Sequence, residues 1–212
     1  MSNRPADHFL VQIGYVGWAA RPDSIHTTGF SRSLNIYLMF DFPFKTDPRF
    51  SVGAGAGIGS ASVFFDKQQV GVANTSGNLT FPDAEATSSN YFKKYKLVST
   101  YLEAPIELRF AADPEHYDKS WKGALGVKVG TLLNIHTKGK NLVTSTGAAV
   151  ANYIEKQASK QYFSGTRLAG TARIGYGHFS LYGQFQINNY IKDGRGPSGI
   201  HPFEIGLTLS GL

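Results

Sequence analysis

The segment Ser33–Phe42, SLNIYLMFDF, alternates without a break: Leu34, Ile36, Leu38, Phe40 and Phe42 interleave with Ser33, Asn35, Tyr37, Met39 and Asp41. Period two is the signature of a strand, whose successive side chains point to opposite faces. One face of this strand is wholly apolar and the other mostly polar. Such a ribbon can cover the core of a sandwich, line a soluble barrel, or face lipid.

The pattern recurs along the chain with turn residues between. In HFLVQIGYVGWA, Phe9, Val11, Ile13 and Tyr15 oppose Gln12, Gly14 and Trp18; in FSVGAGAGIG, Phe50, Val52, Ala54, Ala56 and Ile58 oppose four glycines. In KLVSTYLEAPIELRF, Val98, Thr100, Leu102, Ala104, Ile106, Leu108 and Phe110 oppose Tyr101, Glu103, Glu107 and Arg109. WKGALGVKVGTLLNIH sets Trp121, Leu125, Val127, Val129, Leu133 and Ile135 against Lys122, Lys128, Asn134 and His136. TRLAGTARIGY, FSLYGQFQIN and PFEIGLTLSGL continue the pattern, so the chain offers eight candidate strands. Most run to roughly ten residues, the length a tilted strand needs to cross a bilayer. The connections alternate: 45–49, 113–118 and 177–178 are short or moderate, whereas 20–30, 66–95, 139–162 and 190–201 are long. An even-stranded up-and-down barrel would gather the long loops at one end and both termini at the other, as outer-membrane barrels do. The expectation is an all-β chain, one domain over residues 1–212, forming an eight-stranded antiparallel up-and-down transmembrane β-barrel with long extracellular loops.

Composition decides which face meets lipid. Charged residues make up only 17% of the chain, below the usual quarter of a soluble protein. The polar faces are not dense in lysine and glutamate, as a water-facing surface would be; they carry Gly, Ser, Thr, Asn, Gln and Tyr with a few charges of both signs. Asp41, Glu103, Glu107 and Glu204 are therefore expected to meet Arg109, Lys122, Lys128, Arg167 and Arg173 in a lumen charge network, because a small barrel is filled by side chains and a lone buried charge is costly. Leu34, Ile36, Leu38, Phe40, Val127, Val129, Ile205 and Leu207 are expected to face lipid, with Tyr15, Phe42, Trp121 and Tyr176 as candidates for the interfacial girdles. The glycines of residues 53–59 should make room for bulky neighbours such as Tyr37 or Tyr101. No apolar run approaches the roughly 20 residues of a spanning helix, and MSNRPADHF lacks the apolar core of a signal peptide. The expected location is the bacterial outer membrane, reached from a precursor whose signal peptide is absent from this sequence. A soluble lipocalin-like barrel binding an apolar ligand is the alternative; it explains the alternation but neither the strand lengths nor the loop asymmetry.

The stretches FSRSLNIYLMFDFPFKTDPRFSVGAGAGIG, YLEAPIELRF and HPFEIGLTLSGL resemble the small outer-membrane β-barrel proteins of Bacteroidetes, the PorT-like barrel family. The likeness lies in a strand ending in an acidic residue and proline before a turn, a glycine-rich strand after it, and a YLE-P strand after a long loop. It implies an eight-stranded outer-membrane barrel; no activity is established for most members, and PorT itself is associated with type IX secretion. Family barrels usually end on an aromatic residue that helps the insertion machinery, whereas Leu212 stands last here.

Candidate chemistry is sparse. There is no cysteine, hence no disulfide and no thiolate metal site. The histidines His8, His26, His116, His136, His178 and His201 show no metal-ligand spacing. GAGAGIG lacks the following helix and Lys-Ser/Thr of a nucleotide loop. Ser99, Glu103 and His136 would serve a lipid hydrolase only if the fold brought them within hydrogen-bond reach; His136 is otherwise a rim or lumen hydrogen-bonding group. The expectation is a non-enzymatic barrel without catalytic, cofactor or metal residues, with a structural, partner-binding or surface-binding role through its long loops. A lipid-modifying enzyme is the alternative. The net charge is +6, and Lys93, Lys94, Lys96, Lys138, Lys140, Lys156, Lys160, Lys192 and Arg195 lie in or beside the long loops. Expected partners are outer-membrane lipid, lipopolysaccharide and other envelope proteins rather than nucleic acid.

Overall fold

A computed structural model describes residues 9–28, 31–73, 77–84, 90–144 and 146–211; His8 and Leu212 lie outside the described residues. The strands are β1 (Phe9–Ala19), β2 (Arg32–Pro43), β3 (Phe50–Phe65), β4 (Asn90–Ala111), β5 (Trp121–Thr144), β6 (Ala149–Ala158), β7 (Thr166–Tyr176), β8 (Phe179–Gln186) and β9 (His201–Ser210). All pairings are antiparallel. Eight strands close a ring in the order β1-β2-β3-β4-β5-β7-β8-β9, sealed by β1–β9 pairing from Leu10↔Ser210 to Ala19↔His201. The eight-stranded up-and-down barrel read from period and loop alternation is the fold observed, and closure removes the free edges that an open sheet would expose.

Two features differ from the sequence reading. First, the segment 139–162 is largely strand. β5 continues to Thr144, and β6 returns along its upper half, pairing from His136↔Ala158 to Val143↔Ala149. β4 likewise begins at Asn90 and pairs with β5 up to Asn90↔Thr144. The upper parts of β4, β5 and β6 thus form a three-stranded flap beyond the ring. Second, β5 carries a bulge: Thr100 pairs with Asn134 but Tyr101 with Leu132, leaving Leu133 as the extra residue. A bulge shifts the face of every residue beyond it. Leu132 and Ile135 are both buried inside, while Leu133 and Asn134 are exposed and His136 is half-buried on the outer face. Alternation alone puts Ile135 on the oily face and His136 and Asn134 on the polar one; the extra residue reverses all three.

The apolar face of the ring points out. Leu34, Ile36, Leu38, Phe40, Val127, Val129, Ile205 and Leu207 are all exposed, and Leu38 retains 51% of its accessible surface. This overturns the soluble lipocalin-like alternative, which needs that face inside. Aromatic rings gather at the short-turn end, where Trp121 packs on Tyr176 at 5.7 Å and Phe50 on Phe110 at 5.2 Å between ring centroids. Toward the long-loop end Tyr15 sits beside Phe203 at 6.3 Å.

Two glycines of β3 show why that strand is glycine-rich. A Cβ on Gly53 would lie 2.6 Å from Cζ of Arg109, and one on Gly59 would lie 2.6 Å from Oε2 of Glu103. These positions give space to the charged groups of β4, and Gly57 gives it to the ring of Tyr37. Tyr101 is the cross-strand partner of Gly59, but the atoms nearest a Cβ there belong to Glu103 and Asn35.

Candidate functional site

Inside the ring five strands direct charged side chains toward one another. β2 supplies Asp41, β4 supplies Glu103, Glu107 and Arg109, β5 supplies Lys122 and Lys128, β7 supplies Arg167 and Arg173, and β9 supplies Glu204, each on the inward parity of its strand. Glu103, Lys128, Arg167 and Glu204 are almost fully buried.

These groups form two nodes. In the central node Arg167 bridges two carboxylates, Nη1 to Oε1 of Glu103 at 3.0 Å and Nη2 to Oε1 of Glu204 at 3.0 Å. Its guanidinium also stands over the Tyr101 ring, 5.2 Å from the centroid. Lys128 Nζ reaches Oε2 of Glu103 at 3.2 Å and donates to the Tyr37 hydroxyl at 2.7 Å and to Gln184. Tyr37 in turn donates to Glu103. Glu204 accepts from Gln184 Nε2 at 2.7 Å, Asn35 Nδ2 at 3.0 Å and the Tyr182 hydroxyl at 3.3 Å. Two carboxylates and two cations balance here, and neutral donors fill the remaining lone pairs, which is what a buried ion pair requires to offset its desolvation.

The second node lies toward the short-turn end. Oε2 of Glu107 accepts from Arg173 Nη2 at 2.6 Å and Arg109 Nε at 3.1 Å. Arg109 Nη1 lies 3.5 Å from Asp41, whose Oδ1 also accepts from Ser51 Oγ at 2.7 Å. Lys122 is buried beside Arg109 and Arg173, lining a small crevice with them. Glu103 is therefore served by Arg167 and Lys128, and Arg173 belongs to Glu107.

Little space remains between the nodes. The crevice between Tyr37, Glu107, Lys128, Arg173 and Tyr182 measures about 10 Å³, as does the one between Trp18, Tyr101, Arg167 and Tyr190. Each admits at most about one water.

Above the network, the long connections fold inward. Ile25, Val70, Val72, Leu79, Tyr162, Phe163, Tyr190, Ile191 and Ile200 come from the four long loops and pack with Val16, Trp18, Val63, Phe65, Leu97, Leu132 and Ile135 from the walls. Trp18 meets Phe65, Phe81 and Tyr190 edge-on or tilted at 5.5–6.3 Å. Backbone bonds tie the loops together: Leu79 N donates to Arg195 O at 2.7 Å and Lys192 N to Tyr162 O at 2.9 Å. Burial holds the Tyr190 phenol protonated far above its usual range. This apolar plug was not legible from alternation, which is silent on loops; the sign that could have marked it is the run of large apolar residues, Tyr162, Phe163, Tyr190, Ile191 and Ile200, in connections that would otherwise be polar.

The fold does not assemble Ser99, Glu103 and His136. Ser99 is buried in the lumen, Glu103 is engaged in the central node, and the bulge puts His136 on the opposite side of the wall from both. Among the described residues no three His, Asp or Glu side chains converge to hold a metal ion. A closed ring, an outward apolar band and an ion-paired interior together describe a barrel solvated by lipid outside and by its own side chains inside. A search among curated proteins returns no match. The family model for the outer membrane protein beta-barrel domain matches residues 8–210, nearly the whole chain, and the protein belongs to that family as an integral protein of the bacterial outer membrane.

Proposed function

We propose that this protein is a non-enzymatic outer-membrane barrel that conducts nothing and acts through the surface of its long-loop end, as a structural or partner-binding element of the envelope. The observation that carries this reading is the double closure of the lumen: an ion-paired network fills the ring and a loop-borne apolar core covers its mouth. The exposed apolar set from Leu34 to Leu207 is its lipid contact, and the nine charged side chains serve as cross-links of the interior rather than as reacting groups.

The long loops and the β4–β6 flap are then extracellular, and the 44–49, 112–120 and 177–178 turns periplasmic. The likeness of the quoted stretches to PorT-like barrels of Bacteroidetes supports the same architecture, and a secretion-linked role is one partner-binding function it would fit. Protease added to intact cells tests the orientation: cuts should fall between residues 66 and 95 or between 139 and 162. Cleavage confined to 45–49 would invert it. Labelled outer-membrane lipids incubated with the purified protein test the enzymatic alternative; they should remain intact, and turnover abolished by Ser99→Ala would replace this reading with a lipid-modifying one.

A further inference from the structure

Three adjacent strands carry lysines at one level of the outer wall, and an arginine of β2 stands one step below them. Lys96 of β4 is directly opposite Lys138 of β5, which is directly opposite Lys156 of β6. One step higher, Lys94 faces Lys140. On the other side, Phe64 of β3 pairs with Lys96; the Lys96 ammonium lies 5.4 Å from its ring and the guanidinium of Arg32, from β2, 5.7 Å. Lys96 feels the charges of Arg32 and Lys138, and His136 those of Lys156, Lys96 and Lys138. The row is thus electrostatically one patch.

Like charges directly opposite in a sheet are destabilising, and here Lys96 Nζ donates only to a neutral partner, Ser62 Oγ at 3.3 Å. Among the described residues none of these five lysines makes an ion pair. Glu155 is on the opposite face of β6, where Gln157 donates to it at 2.7 Å, and Asp66 just beyond β3 forms no ion pair with them. Cations gathered this closely leave the patch open to an anion from outside the chain.

The level of the row on the wall bears on which anion would meet it. The outer face of β4 runs from Phe110 in the aromatic belt through Leu108, Ile106 and Leu102 to Thr100, about 33 Å of strand or roughly 25 Å along the barrel axis at the usual tilt, the height of the apolar band in such barrels. Next comes a mainly polar step: Ser60, Thr100 and Asn134 side by side, with Ser60 and Thr100 hydroxyls 3.4 Å apart, and above them Ser62, Val98 and His136. The lysines follow. Apolar, then hydroxyl and amide, then cationic is the order in which a phosphorylated glycolipid presents acyl chain, sugar and phosphate.

We propose that the outer wall over β2–β6 is a docking surface for lipopolysaccharide of the outer leaflet, with Arg32, Lys96, Lys138 and Lys156 holding its phosphates and Phe64 bracing two of those cations. This rests on the orientation given above. It is tested with bisphosphorylated lipid A, its dephosphorylated form and inorganic phosphate, each added to the full chain in detergent and followed by native mass spectrometry and by melting temperature. The expected result is retention of bisphosphorylated lipid A and a rise in melting temperature that the other two do not give. Each lysine near a charged lipid surface contributes about fivefold, so the triple variant K96Q/K138Q/K156Q should lose on the order of a hundredfold in affinity. Without lipid the same variant should melt at or above the unaltered protein, because repulsion has been removed; K119Q, in a short turn, should change neither. Equal retention of phosphorylated and dephosphorylated lipid, or undiminished binding by the triple variant, overturns the proposal. Because the assay is done in detergent, those outcomes are independent of orientation, which the protease experiment decides.

Discussion

Arg167 makes the most demanding contact of the lumen, since one guanidinium serves Glu103 and Glu204 together. Its removal leaves Glu103 with Lys128 but Glu204 with only neutral donors. Breaking a buried pair by removing one partner costs about 3–5 kcal/mol, and Arg167→Ala should lower the unfolding midpoint in detergent accordingly. Arg173→Ala should cost less, because Glu107 keeps Arg109 at 3.1 Å; the reverse order in urea titrations would mean the pairing is not what holds the lumen. On the outer wall, Leu38→Arg or Val127→Arg places charge in hydrocarbon at about 2–4 kcal/mol near the midplane. Tolerance of arginine at Leu38 equal to that at an exposed loop residue such as Asp193, measured by folding yield into lipid vesicles, would contradict the assignment of that face.

At the scale of elements, the parity of β1, β2, β4, β7, β8 and β9 was legible because a strand with one apolar and one polar face has only one register that keeps both solvated correctly. The charged set followed from the same parity, since Glu103, Glu107 and Arg109 occupy the inward positions of a single strand. What alternation does not reveal is a change of phase inside a strand. Leu132 and Leu133 are adjacent apolar residues, and both are placed well once one is bulged, so the sequence offers no local conflict at the bulge. Nor does it mark β6, whose residues Ala149–Ala158 are largely exposed and mixed in character and pair with β5 only on one side. The pairing of specific cations with specific carboxylates was beyond reach for another reason: it depends on strand stagger around the ring, not on order along the chain. Deleting Leu133 alone should leave Leu132 and Ile135 inward and Asn134 outward in unbroken alternation, with the Thr100–Asn134 and Tyr101–Leu132 pairing kept, whereas deleting both Leu133 and Asn134 makes the two inward residues neighbours and forces one of them out. The single deletion should keep its heat-resistant folded band on cold gel electrophoresis, and the double deletion should lose it. In the plug itself, Phe163→Ala should cost about 3–5 kcal/mol without opening a path, because the ion-paired nodes lie beneath it.

The whole molecule is stabilised by different chemistry on each surface. Outside, apolar side chains meet lipid and gain little from one another. Inside, ion pairs and hydrogen bonds replace water, and at the long-loop end an apolar cluster closes the mouth. The backbone is satisfied by closure of the sheet, as spanning a bilayer demands. Two barriers in series, one polar and one apolar, leave crevices of about 10 Å³ among the lumen side chains. Such spaces are far below what a hydrated ion needs. The most direct test is electrical: the unaltered protein inserted into a planar bilayer at neutral pH. No steady conductance steps should appear in either polarity, and Arg173→Ala should add none. Large, long-lived single-channel steps from the unaltered protein would show that the lumen is open and that the interior charges line a path instead of filling one.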